Sequence, residues 1–151
     1  MEIMRKFWLP ETCYYITMRG NNRQDIYHAH KDYEVFLQVV QRASKKYAFF
    51  LLSYCLVRNQ YHLLLRSSQV PLSEVMLYIN TTYSSYYKRT YKCNGQLFEP
   101  NFFTSVISTE ADLFKVNNFL YEQPRYAGIQ TSLDTYPYSS FRIQRFPEPI
   151  I

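Results

Sequence analysis

The stretch Tyr54-Cys55-Leu56-Val57-Arg58-Asn59-Gln60-Tyr61-His62-Leu63-Leu64 decides the architecture. It spans two apolar runs, Phe49–Val57 and Tyr61–Arg66, separated only by the polar residues Arg58, Asn59 and Gln60. Apolar runs of this length with so short a connection read as adjacent antiparallel strands joined by a tight turn. Residues two apart on a strand share a face, so Gln60 and His62 point the same way.

Upstream, Lys31–Tyr47 spaces Tyr33, Phe36, Leu37, Val40 and Ala43 along one helical face and ends with Lys45 and Lys46. Before that helix, Thr12–Met18 is β-branched and aromatic and reads as a first strand. Arg19-Gly20-Asn21-Asn22-Arg23 then reads as a basic loop carrying both arginines. Downstream, Pro71 and Leu72-Ser73-Glu74 open a second helix that runs to about Arg89. Val75, Tyr78, Ile79, Thr82 and Tyr86 form its apolar face, and Lys88, Arg89 and Lys92 make a cationic end. Asn94-Gly95 marks a turn, Phe102–Ile107 a further strand, and Thr109-Glu110-Ala111-Asp112 the start of a helix reaching about Glu122, with Pro124 closing it. The order strand, helix, strand, strand, helix, strand, helix matches an α+β fold, a ferredoxin-like antiparallel sheet with helices packed on it. A single domain over residues 1–151 is expected, with 142–151 a short irregular tail.

Composition narrows the function. The 151 residues are 47% apolar, enough for a core, and the formal charge is +5, a mild bias toward anionic partners such as nucleic acid. The 16 Tyr and 11 Phe supply rings that can fill a core or stack on unpaired bases. Cys13, Cys55 and Cys93 are odd in number and widely spaced, which argues against a disulfide framework or a zinc site. No apolar run nears the roughly 20 residues that span a bilayer, and a cytoplasmic protein is expected.

Four stretches together resemble the REP-associated and IS200-type tyrosine transposases: Tyr15–Arg23, Tyr54–Leu64, Gly95-Gln96-Leu97-Phe98 and Tyr136-Pro137-Tyr138-Ser139-Ser140. Their order and spacing cover roughly residues 12–141. The resemblance implies a ferredoxin-like HUH nuclease domain acting on single strands next to hairpins. In such a domain two histidines flanking an apolar residue hold a divalent metal, and a helix tyrosine attacks the DNA phosphate to give a 5′-phosphotyrosine link.

Here the segment matching the paired histidines reads Gln60-Tyr61-His62, with an amide in place of one imidazole. An amide oxygen suits a hard ion such as Mg²⁺ but weakens binding of Mn²⁺ and similar borderline metals, so the implied metal is weak or absent. The family pattern on the catalytic helix aligns Phe119, Gln123, Pro124, Ala127 and Gly128 with a tyrosine, an amide ligand, proline and Ala-Gly. Phe119 therefore stands at the position of the nucleophile and has no oxygen with which to attack phosphorus. Gln60, His62 and Gln123 are the candidate metal ligands, although a lone His62 on an apolar strand would ordinarily be a structural histidine. Relatives place basic residues near Glu99-Pro100-Asn101-Phe102-Phe103, where this chain has none.

Arg19, Asn21, Asn22, Arg23, Lys88, Arg89 and Lys92 are the candidate DNA contacts, since guanidiniums and amides suit phosphates and unpaired bases. The reading is a transposase-like domain that binds single-stranded or hairpin DNA without cleaving it, as a monomer or homodimer. Two alternatives stand beside it: an active transposase using a displaced tyrosine, Tyr121 or Tyr126, and a protein-interaction module that has given up DNA. A helix turns about 200° over two residues, which aims Tyr121 away from the direction of Phe119.

Overall fold

The computed structural model describes residues 12–67, 70–129 and 131–151. Strands β1 (Cys13–Arg19), β2 (Phe50–Val57), β3 (Gln60–Arg66) and β4 (Phe103–Ile107) form one antiparallel sheet in the order β2-β3-β1-β4. Helix α1 (His30–Tyr47) connects β1 to β2, and α2 (Leu72–Tyr91) connects β3 to β4. Helix α3 (Glu110–Tyr121) and the single turn α4 (Gln123–Tyr126) follow β4. This is the ferredoxin-like arrangement that the element order implies.

Strand alternation divides the core in two. Tyr14, Ile16 and Met18 of β1 and Tyr61, Leu63 and Leu65 of β3 pack against α1 and α2, where Phe36, Val40, Ile79 and Tyr83 meet them. On the other face Leu52, Cys55, Val57, Leu64 and Ile107 pack against Leu120 and Tyr121 of α3 and against Tyr136. Slipping β1 or β3 by one residue would exchange the two faces, so the pairing is strongly specified.

Asp32 ties α1 to α2. Its buried carboxylate accepts from the backbone N–H of His28 at 2.8 Å and of Ala29 at 3.1 Å, from the Tyr86 hydroxyl at 2.6 Å and from the Tyr91 hydroxyl. Burial alone would raise its pKa, but the four bonds outweigh burial and hold the carboxyl below its ordinary value. Both helices end on a residue in the left-handed region, Ala48 at φ 54° and Lys92 at φ 52°.

The segment after α4 covers the outer edge of β2, which would otherwise offer free backbone groups. Leu56 N donates to Tyr138 O at 2.8 Å, Tyr136 Oη donates to Leu56 O at 2.5 Å, and Tyr54 N donates to Ser140 Oγ at 2.9 Å. The end of the chain then pairs with Leu51, through Leu51 N to Ile151 O at 2.8 Å and Ile150 N to Leu51 O at 2.7 Å. Two boundaries differ from expectation. Arg19 is the last residue of β1 rather than a loop residue, because it pairs with Gln60 across the sheet. Pro124 does not close α3 but sits in the first turn of α4, where its missing N–H costs nothing.

The loop after β1 is held from two sides. Gly20 N donates to Asn59 O at 2.8 Å, Asn21 N donates to Leu97 O at 2.7 Å, and Glu99 N donates to Arg19 O at 3.0 Å. A Cβ on Gly20 would lie 2.1 Å from the backbone oxygen of Gln24, so only glycine fits without moving the chain. Gly20→Ala is expected to lower unfolding free energy by about 1–3 kcal/mol in a urea titration; a variant with unchanged midpoint and slope would contradict the placement of this loop.

Candidate functional site

The face opposite α1 and α2 carries Tyr15, Thr17 and Arg19 from β1 and Gln60, His62 and Leu64 from β3, set side by side by the pairings Tyr15↔Leu64, Thr17↔His62 and Arg19↔Gln60. Helix α3 covers only the Leu64 half, through Leu120 and Tyr121. Along β4 the same gradient runs from exposed Phe103 and Ser105 to buried Ile107. The end of the sheet marked by Arg19, Gln60 and Phe103 is therefore open.

His62 sits just inside this opening and is 2% exposed. Its Nδ1 lies 2.8 Å from the Tyr15 hydroxyl and 3.1 Å from Thr17 Oγ1, and the Tyr15 ring stacks on the imidazole at 6.0 Å. Nε2 is buried without a hydrogen-bond partner. Whichever nitrogen carries the proton, Nε2 is left unsatisfied, as a donor or as a lone pair. Burial, reinforced by the Arg19 charge, pulls the His62 pKa down to about 3, so the imidazole is neutral. Burial pushes the Tyr15 phenol up to about 12 despite a bond from Thr17.

Phe119 stands at the lip of the site, 48% exposed, with its ring edge-on to Tyr15 at 6.0 Å. Gln123, one turn on, is buried, and its Nε2 donates to Phe119 O at 3.3 Å. Tyr126 on α4 is 68% exposed, with its ring 5.7 Å from Phe119. It lines a cavity of about 540 Å³ together with Gln60, Arg58, Asn59 and Asp25. Tyr121 points the other way: it is buried, and its hydroxyl bonds Ser140 Oγ and Gln144 O, both at 2.9 Å. That rules Tyr121 out as a displaced nucleophile, since a phenol locked in the core reaches no phosphate.

The implied divalent metal does not fit this donor set. His62 contributes one neutral nitrogen, Gln123 and Gln60 can add only neutral amide oxygens, and Gln60 opens into the cavity beside Arg58. Among the described residues no three His, Cys, Asp or Glu side chains gather where an ion could be held. Hard ions favour clustered carboxylate oxygens, and the nearest fixed charge acting on His62 is the cationic Arg19.

The expected DNA contacts fall into two groups. Asn21, Asn22 and Lys88 line a second cleft of about 460 Å³ with Gln24, His28, Tyr87 and Tyr91. Arg23, Arg89 and Lys92 are exposed on the same loop and helix end. Arg19 leaves this group: its guanidinium lies 4.9 Å over the Phe103 ring, on the His62 side. Tyr15, Thr17 and Phe103 were not among the expected site residues, although strand alternation places all three on the face of His62.

The buried neutral His62 has a consequence for stability. The unfolded chain takes up a proton near the ordinary value of 6.5 and the folded chain only near 3, so stability is lost as pH falls between them. The slope attributable to His62 is about 1.4 kcal/mol per pH unit in that window. Urea unfolding of His62→Phe across pH 4–6.5 is expected to show a slope shallower than wild type by about this amount; an identical slope would contradict the burial.

A family model for IS200-like transposases matches residues 10–123, most of the chain. Among solved structures, a REP-associated tyrosine transposase bound to a REP hairpin is similar at TM-score 0.76 and 13% identity, over 92% of this chain and 82% of that one. A candidate transposase from Deinococcus radiodurans R1 is similar at TM-score 0.56 and 10% identity, over 77% of this chain and 93% of that one. No curated protein matches the chain.

Proposed function

The chain belongs to the IS200-like transposase family, and we propose that it grips hairpin DNA and the single strand beside it without cutting that strand. The observation that carries this reading is Phe119. It stands exposed beside Tyr15, whose ring stacks on His62, at the position where the family resemblance puts the attacking tyrosine, and it carries no nucleophilic atom. A similar fold has been solved bound to a REP hairpin, which supports the same class of partner here.

In this reading Arg23, Lys88, Arg89 and Lys92 neutralise phosphates, while Asn21 and Asn22 meet sugar or base edges at the cleft below them. Arg19 serves the opposite face of the sheet, beside Gln60 and His62. No step runs through a metal, because Gln60, His62 and Gln123 do not present a ligand shell.

A second reading retains cleavage with Tyr126 as nucleophile. It is favoured by that residue's exposure and by its position one ring away from Phe119.

Hairpin affinity is expected to fall steeply as salt rises, because binding to phosphates releases counterions. Arg23→Ala combined with Lys88→Ala is expected to make the log–log salt slope shallower by about 1 for each phosphate that is no longer neutralised, and a chelator is expected to leave affinity unchanged. Binding no tighter than that of a neutral control protein would reject the reading, and loss of binding on chelation would reject its metal-free form.

A further inference from the structure

Eight large hydrophobic side chains stand exposed among the described residues, and three of them, Phe103, Phe119 and Tyr126, crowd the open end of one sheet face. Phe119 and Tyr126 lie 5.7 Å apart, ring to ring. Phe103 pairs across the sheet with Thr17, the residue that touches His62, and has the Arg19 guanidinium over it at 4.9 Å. Arg19 covers one side of that ring and leaves it 55% exposed.

Exposed aromatic rings gathered at one end of a sheet face mark an interaction surface. The surroundings specify its chemistry: Arg58, Asn59 and Gln60 line the 540 Å³ cavity with Tyr126 and one carboxylate, Asp25, and Arg19 pairs with Gln60 across the sheet. Flat apolar faces flanked by guanidiniums and amides match a single nucleic-acid strand, whose bases stack, whose phosphates pair with arginine and whose base edges pair with amides. A protein partner would require no such mix of cations and planar amides around the rings.

We propose that Phe119, Tyr126 and Phe103 form a stacking ledge for the unpaired bases that flank the hairpin, so that position 119 holds DNA where a tyrosine would cut it. The ledge rests on the reading that the chain binds such DNA, and it adds which residues take the single-stranded part. It also assigns the two halves of the strand different supports. Bases lie on the rings, and backbone phosphates lie toward Arg19 and Arg58.

The test compares three oligonucleotides: a blunt hairpin, the same hairpin with a short single-stranded flank, and that flank made abasic. Wild-type protein is expected to bind the flanked hairpin about 10- to 100-fold more tightly than the other two. The double variant Phe119→Ala with Tyr126→Ala is expected to lose that gain and keep wild-type affinity for the blunt hairpin. Its salt slope stays at the wild-type value, because every cation that meets a phosphate is still present. Phe119→Leu with Tyr126→Leu, which keeps apolar volume but removes the rings, is expected to behave like the alanine pair. Equal binding of the intact and abasic flanks, or wild-type affinity of either pair for the flanked hairpin, would overturn the ledge. Should no hairpin bind, an oligothymidine strand separates the two claims: binding that the double variant loses supports the ledge and rejects the hairpin reading, and no binding overturns both.

Discussion

Everything in this molecule depends on the two central strands being covered on both faces while obeying a two-residue alternation. β1 and β3 send Tyr14, Ile16, Met18, Tyr61, Leu63 and Leu65 to one side, and α1 and α2 bury them. The intervening residues face the other side, where α3 is too short to cover the whole surface. Leu120 and Tyr121 close the Leu64 half. The half that ends in Arg19, Gln60 and Phe103 stays open, and the site occupies that opening.

This geometry separates positions that a linear reading merges. Phe119 and Tyr121 lie two apart on one helix, yet one meets solvent and the other bonds Ser140 in the core. Arg19 and Arg23 lie four apart, yet the first turns under the sheet beside His62 and the second stands on the loop above the Asn21–Lys88 cleft. His62 shows the same economy. Its Nδ1 is satisfied by Tyr15 and Thr17, while its Nε2 meets no protein partner among the described residues.

Much of this was legible in the sequence. The hairpin around Arg58-Asn59, the two long helices and the shared face of Gln60 and His62 follow from local periodicity, and each appears within two residues of its expected bounds. Local pattern also placed Phe119 on a helix. The meetings of distant segments were not legible: Tyr136–Ser140 along the edge of β2, Gly20 between Asn59 and Leu97, and Tyr126 on a one-turn helix that Pro124 initiates. Tyr15 and Thr17 as partners of His62 were within reach, because the pairing of β1 with β3 and simple alternation put them there.

The proposed function has the strand held at Phe119, a side chain with no atom to attack it, and leaves the neighbouring Tyr126 phenol unreacted. Intact-protein mass measurement after incubating the wild-type chain with a flanked hairpin and Mg²⁺ or Mn²⁺ tests this directly. The account predicts an unmodified mass under every condition in which the hairpin is bound. A species heavier by a DNA fragment, with the link mapped to Tyr126 or any other tyrosine, would contradict it.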